Sequence, residues 1–225
     1  MAFNPKIFCP VYAIVDTETL GKHTSAVAQV LFDAGVKILQ LRGKNLNTSS
    51  LSQLSADIVA RRNNSKSTCR IIINDNIEAC LTSGADGVHL GQDDSSPHQA
   101  RKLLGQAAII GLSTHNIEEV DAANKLSGVI DYIGFGPVFP SGSKSGHAEV
   151  TGLELLAVAC QTSNLPLVAI GGIRRTNARD VIRAGAQGFA VIGDLCDKLD
   201  LVTQAGAAAP ETMATRLEEF ARSFS

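Results

Sequence analysis

Short apolar runs recur along the chain, separated by longer amphipathic stretches. The runs are "VYAIVD" (11–16), "VKILQLR" (36–42), "CRIIIND" (69–75), "DGVHLG" (86–91), "AAIIGLS" (107–113), "IDYIGFG" (130–136), "LPLVAIGG" (165–172) and "GFAVIGD" (188–194). They are nearly all apolar, without the alternation of a half-exposed strand, so each predicts a strand buried on both faces of a parallel sheet. Between them, "TSAVAQVLFDAG" (24–35), "IEEVDAANKL" (117–126) and "TNARDVIRAG" (176–185) read as amphipathic helices, several ending in a glycine placed as a C-cap. Eight strands, each followed by a helical segment, predict an α/β chain closed into a (β/α)8 TIM barrel. A doubly wound open sheet is the alternative, but it has no need of eight strands. No linker or low-complexity tract divides the 225 residues, so a single domain over 1–225 is expected. Its barrel runs from about 10 to 195, with a closing helix at about 210–223.

Composition narrows the partners. A formal charge of -2 gives no general pull on nucleic acid or acidic membranes, and only 4% aromatic residues with no Trp argue against a base-stacking surface. Any anion must therefore be held by local groups. Five cysteines, odd in number and scattered without metal-ligand spacing, suggest reduced, buried thiols. No apolar run approaches bilayer-spanning length, and the N-terminal residues lack the layout of a targeting segment. A soluble, cytoplasmic protein acting on small molecules is expected; subunit number is not readable.

Barrel chemistry is built at the C-terminal ends of the strands. The second strand ends in Gln40, Leu41, Arg42, Gly43 and Lys44, the third in Asn74 and Asp75. The fourth carries His89 and leads to Asp94, and the fifth ends in Ser113 and His115. After the sixth comes "PSGSK", which sets Ser141, Gly142, Ser143 and Lys144 in a row. Asp75 and Asp94 suit a hard cation such as Mg2+ that retains waters and enters with substrate phosphates. Arg42, Lys44 and Lys144 add cationic donors, the combination that stabilises a departing diphosphate. A metal-free salt-bridge cluster is the structural alternative. Gly172 after strand seven, with Ile192 and Gly193 after strand eight, offers backbone N–H groups where such barrels commonly hold a phosphate. The mouth then holds two anions, with the Ser141–Lys144 loop between them. His89 reads equally as a packed core residue or as pocket floor, and no nucleophilic triad is evident.

The segments "QLRGK" (40–44), "IIND" (72–75), "GVHLGQDD" (87–94), "GLSTH" (111–115), "DYIGFGPVFPSGSK" (131–144), "VAIGGI" (168–173) and "AVIG" (190–193) together resemble the thiamine-phosphate synthase (thiamine-phosphate pyrophosphorylase) family, over about residues 11–195. The resemblance implies a transferase that joins 4-amino-5-hydroxymethyl-2-methylpyrimidine diphosphate to 4-methyl-5-(β-hydroxyethyl)thiazole phosphate, releasing diphosphate. It assigns Gln40–Lys44, Asn74, Ser113 and Lys144 to the pyrimidine diphosphate and Asp75 and Asp94 to Mg2+. Ser141–Ser143, Gly172, Ile192 and Gly193 fall to the thiazole phosphate. Arg42, Lys44, Ser113 and Lys144 are then the residues expected to assist departure of the diphosphate. Three positions depart from the family pattern: Asn76 where arginine is usual, Ser–Gly–Ser where threonines are common, and Gly193 where serine is frequent. A thiazole tautomerase of the same fold, with His115 as its base, and a non-catalytic phosphate-ligand binder are the competing readings.

Overall fold

The computed structural model describes residues 11–140 and 149–193. Eight parallel strands close on themselves in chain order, with β8 paired to β1. They are β1 (Val11–Asp16), β2 (Ile38–Arg42), β3 (Arg70–Asn74), β4 (Gly87–Leu90), β5 (Ile109–Thr114), β6 (Tyr132–Phe135), β7 (Leu167–Ala169) and β8 (Gly188–Val191). A short turn of helix, α1 (Thr17–Leu20), follows β1 and leads through a 3-10 turn to α2 (Thr24–Asp33). The remaining crossovers are α3 (Thr48–Asn64), α4 (Ile77–Ser83), α5 (Pro97–Leu104), α6 (Ile117–Asn124), α7 (Gly152–Thr162) and α8 (Ala178–Arg183). The helix proposed for 210–223 lies outside the described residues. Among the described residues no helix is long and apolar enough to cross a membrane.

Strand periodicity sorts the core into two layers. Side chains alternate between the faces of a strand, so every second residue enters the barrel and the others meet the helices. The inner set includes Tyr12, Ile14, Ile38, Ile72, Ile109, Tyr132 and Val168. The outer set, with Val15, Leu39, Leu41, Ile73 and Leu112, packs on helix faces such as Val27, Leu31 and Phe32 of α2. Burial of β2 on both faces is why its sequence does not alternate.

The seventh strand stops three residues earlier than its apolar pattern. The Ile170 N–H still donates to the Phe135 carbonyl of β6 at 2.9 Å, while the Ile170 and Gly171 carbonyls accept from Val138 and Phe139 of the loop after β6, at 2.9 and 3.0 Å. Gly171 and Gly172 have φ of +97° and +62°, and a Cβ on Gly172 would meet the Pro140 carbonyl at 2.5 Å. Only glycine combines that backbone with that approach. The result stitches the β6 and β7 loops together at the rim.

Candidate active site

The register between β1 and β2 sets Tyr12 opposite Ile38, Ile14 opposite Gln40 and Asp16 opposite Arg42. Climbing the barrel axis, the inward residues thus pass from apolar to polar to charged. Similar gradients run along β3, from Ile72 to Asn74, and β5, from Ile109 to Ser113. They enclose a cavity with Gln40, Arg42, Asn74, His89 and Ser113 on one side and Val168, Ile170 and Ile192 on the other. One polar and one apolar wall suit a flat, partly polar ring.

Charged groups crowd the rim above the polar wall. The Arg42 guanidinium, almost wholly buried, donates to Asp16 Oδ1 at 2.8 Å and reaches Glu18 Oε2 at 3.4 Å. Thr19 Oγ1 donates to the other Asp16 oxygen at 3.1 Å, so Arg42 is held from one side by a carboxylate that is itself fixed. Asp75 follows the last residue of β3 with φ +62°, a left-handed conformation uncommon for a residue with a side chain. Its N–H donates to the His89 carbonyl at 2.8 Å, and its carboxylate lies 3.6 Å from Lys44 Nζ. Asp94 faces it from the loop after β4, with its own carboxylate accepting from the Gly91 N–H at 2.7 Å. Burial, then the neighbouring Asp94, pushes the Asp75 carboxyl up to about 6, against the pull of Lys44.

Two facing carboxylates raise each other's cost of ionisation, and a cation between them removes it. Asp16, Glu18, Asp75 and Asp94 stand against Arg42 and Lys44, so this cluster carries an excess of negative charge. Among the described residues no group of three or more His, Cys, Asp or Glu forms a protein-only metal cage. Two facing carboxylates are oxygen donors of the type that hard divalent ions take together with water and ligand oxygens.

Below the rim a line of side chains crosses the barrel. Gln40 Nε2 donates to Tyr12 Oη at 3.0 Å, Tyr12 Oη lies 2.9 Å from Tyr132 Oη, and Tyr132 Oη lies 2.9 Å from His89 Nδ1. His89 Nε2 meets Ser113 Oγ at 2.9 Å. Burial moves both phenols well above their ordinary ionisation range, so they stay protonated. His115 also lines the cavity, but its Nδ1 and backbone N–H both address Glu119 Oε2, at 3.0 and 2.8 Å.

The thiamine monophosphate synthase family profile matches residues 11–195. A thiamine-phosphate synthase of Methanospirillum hungatei is 40% identical over 186 residues, which cover 82% of this chain and 88% of the relative. One from Chlorobium phaeovibrioides is 43% identical over 185 residues, covering 81% and 85%. The chain belongs to the thiamine-phosphate synthase family. Among solved structures, the thiamine phosphate pyrophosphorylase of Pyrococcus furiosus superposes with a TM-score of 0.79 at 28% identity, covering 99% of this chain and 100% of that one.

As a family member, the chain brings Gln40, Arg42, Asn74, Ser113 and Ile192 to one cavity, with Lys44, Asp75 and Asp94 at its polar rim. Leu41 turns its fully buried side chain outward into the helix layer, so it offers the cavity only its backbone. Gly43 packs under Leu51, whose Cδ1 would lie 2.8 Å from an added Cβ. Gly172 sits at the loop junction beside Pro140, and Gly193 directly follows Ile192. Ser141, Gly142, Ser143 and Lys144 lie outside the described residues. Pro137 and Val138 accept from Thr151 and Gly152 at 2.8 and 3.1 Å, anchoring the chain on both sides of that segment.

Asn76, expected as a departure from the family pattern, caps α4. Its side chain accepts from Ala79 N at 2.8 Å and donates to Thr48 Oγ1 at 3.0 Å. Sequence reasoning missed Asp16 and the Tyr12–Tyr132 pair. Asp16 was visible as the charged end of the first strand, whereas the two tyrosines are 120 residues apart and meet only because the barrel closes.

Proposed function

We propose that this chain condenses the pyrimidine diphosphate with the thiazole phosphate to give thiamine phosphate and diphosphate, and that turnover requires Mg2+. The observation that carries this reading is the facing Asp75–Asp94 pair beside Lys44 and Arg42, above a cavity of ring size. Mg2+ held by Asp75 and Asp94 would supply charge neutralisation to the leaving diphosphate. Arg42, oriented by Asp16, and Lys44 donate to the same oxygens, and Asn74 and Ser113 complete that side. Lys144 is assigned to the diphosphate as well. Ser141–Ser143, Gly172, Ile192 and Gly193 are assigned to the thiazole phosphate, beside the glycine junction of the β6 and β7 loops.

The thiazole nitrogen carries no proton when it attacks the pyrimidine methylene, so the bond-forming step needs no enzyme base. The aminopyrimidine shares positive charge as its C–O bond breaks, which favours a dissociative path through a pyrimidine cation. Positional-isotope scrambling in unreacted pyrimidine diphosphate is the expected signature, and its firm absence contradicts that path. Omitting the pyrimidine diphosphate, the thiazole phosphate and Mg2+ in turn tests the function: net diphosphate release should need both substrates and the metal. Turnover unchanged without Mg2+, or isomerisation of a thiazole alone, would support the tautomerase reading instead. Lys144→Ala should lower kcat by about a hundredfold, the scale of one lost leaving-group contact.

A further inference from the structure

Asp94 is carried by the loop between β4 and α5, in which Gln92 to Ser96 are all exposed. Such a loop has no buried side chains to fix it, so polar contacts must. Its far end is fixed by Ser96, whose Oγ accepts from Gln99 N at 3.2 Å and caps α5. Near its start the Gly91 N–H donates to Asp94 Oδ2 at 2.7 Å. A Cβ on Gly91 would lie 2.9 Å from the same oxygen, so the turn closes tightly around the carboxylate. Between these two points, Gln92 Nε2 donates to the Ser113 carbonyl at 2.5 Å. A backbone carbonyl only accepts, so the sense of this contact is set by the partner. Strands β4 and β5 pair as far as Leu90 and Leu112, which leaves Ser113 one residue beyond their last rung. The Gln92 side chain takes over where the strand has ended. Ser113 is paired opposite Gly134 of β6, so the strand end is the fixed partner and the loop follows it. Behind the loop lies a cavity of about 230 Å3, with Asp94 and Ser95 on one side and Leu112, Ala123 and Leu126 on the other. It is space into which an untied loop can settle.

We propose that Gln92 is a positioning residue that holds the Asp94 carboxylate toward Asp75 by tying its loop to Ser113. Released from Ser113, the loop moves back over the cavity and the two carboxylates separate. The tie also fixes the spacing between Asp94 and the Ser113 hydroxyl on the cavity wall. In the proposed function these groups address a metal and a diphosphate that are bound to each other, so their spacing sets how tightly that pair is held. This last step rests on the proposed function; the tie does not.

The test uses Gln92→Met, which keeps the length of the side chain and removes its donor. Nitrogen-15 relaxation on the full chain without ligands reads the loop directly. Backbone order parameters of Gln92 to Ser95 should fall from about 0.85, the rigid range, to below about 0.6. Gln92→Lys keeps a donor at similar reach and should keep the loop rigid. The second measurement is the affinity for Mn2+ in the presence of inorganic diphosphate, read by electron paramagnetic resonance. Gln92→Met should weaken it about fivefold, the scale of one hydrogen bond. In an Asp94→Asn background the same change should leave it unmoved, whereas a general loosening of the fold would lower it in both. A loop as rigid in Gln92→Met as in the unaltered chain overturns the proposal, as does an equal loss of affinity with and without Asp94. If the loop loosens as expected but the unaltered chain holds no Mn2+ beside diphosphate, the functional reading fails and the tie stands.

Discussion

Asp75 holds two unfavourable features in one position. Its backbone is left-handed, which costs on the order of 1 kcal/mol for a residue with a side chain, and its carboxyl is raised to about 6 by burial and by Asp94. A carboxyl raised in the folded state keeps its proton where the unfolded chain has lost it. Stability therefore falls as pH rises from about 4 to about 6, and the full penalty is present above that. Asn tolerates the left-handed region and removes the charge. Asp75→Asn should thus raise the melting temperature at pH 8, with the gain vanishing near pH 4, while kcat drops by about a hundredfold. Thermal melts across that pH range, beside assays with Mg2+, read both effects. A variant less stable at pH 8 contradicts the account. Arg42 shows the opposite arrangement, a buried cation already matched by Asp16, so its charge is fixed in place rather than strained.

At the scale of elements, the polar residues at strand ends serve two purposes that a sequence does not separate. Every helix that follows β2, β3, β4 or β5 opens with a side-chain cap: Asn47 accepts from Ser50 N, Asn76 from Ala79 N, Ser96 from Gln99 N and Asn116 from Glu119 N. These caps lie on the same side of the barrel as the candidate site, because each helix begins where a strand has just ended. Gln40, Arg42, Asn74 and Ser113 were legible as site residues because strand periodicity points them inward. Asn76 was legible only as a departure from the family pattern, and its capping role became visible only with the position of Ala79. The line through Tyr12 and Tyr132 was illegible for a different reason. It depends on the closure of the sheet, which brings together strands far apart in the chain. Asn76→Ala should lower stability by about 1 kcal/mol in denaturant titrations, and Asn76→Asp should retain most of it, since a carboxylate caps equally well. Equal losses in both would place the stabilisation in the Thr48 contact instead.

Across the whole molecule, the two ends of the barrel do different work. At the end opposite the rim, a repeated clamp joins consecutive strands in pairs. Asp86, just before β4, accepts from Ile71 N at the start of β3 at 2.8 Å and pairs with Arg62 and Arg70 at 2.5 and 2.8 Å. Asp131, just before β6, accepts from Ile110 N on β5 at 2.8 Å and pairs with Arg101 at 2.7 Å. Gln187, just before β8, accepts from Leu167 N on β7 at 2.7 Å. The same position thus serves strand pairs three times, twice with a carboxylate bound to arginine and once with a neutral amide. Removing one member of a largely buried ion pair leaves the other charge uncompensated, at a cost of about 3–5 kcal/mol. A neutral clamp costs nearer the 1 kcal/mol of a single hydrogen bond. Asp131→Ala should therefore lower the unfolding free energy several times more than Gln187→Ala. The folded fraction of each should keep an unchanged kcat/KM, because neither residue lines the cavity. A loss of kcat/KM in the folded Asp131→Ala protein would show that the floor of the barrel shapes its mouth, and that stability and chemistry are not separated between the two ends.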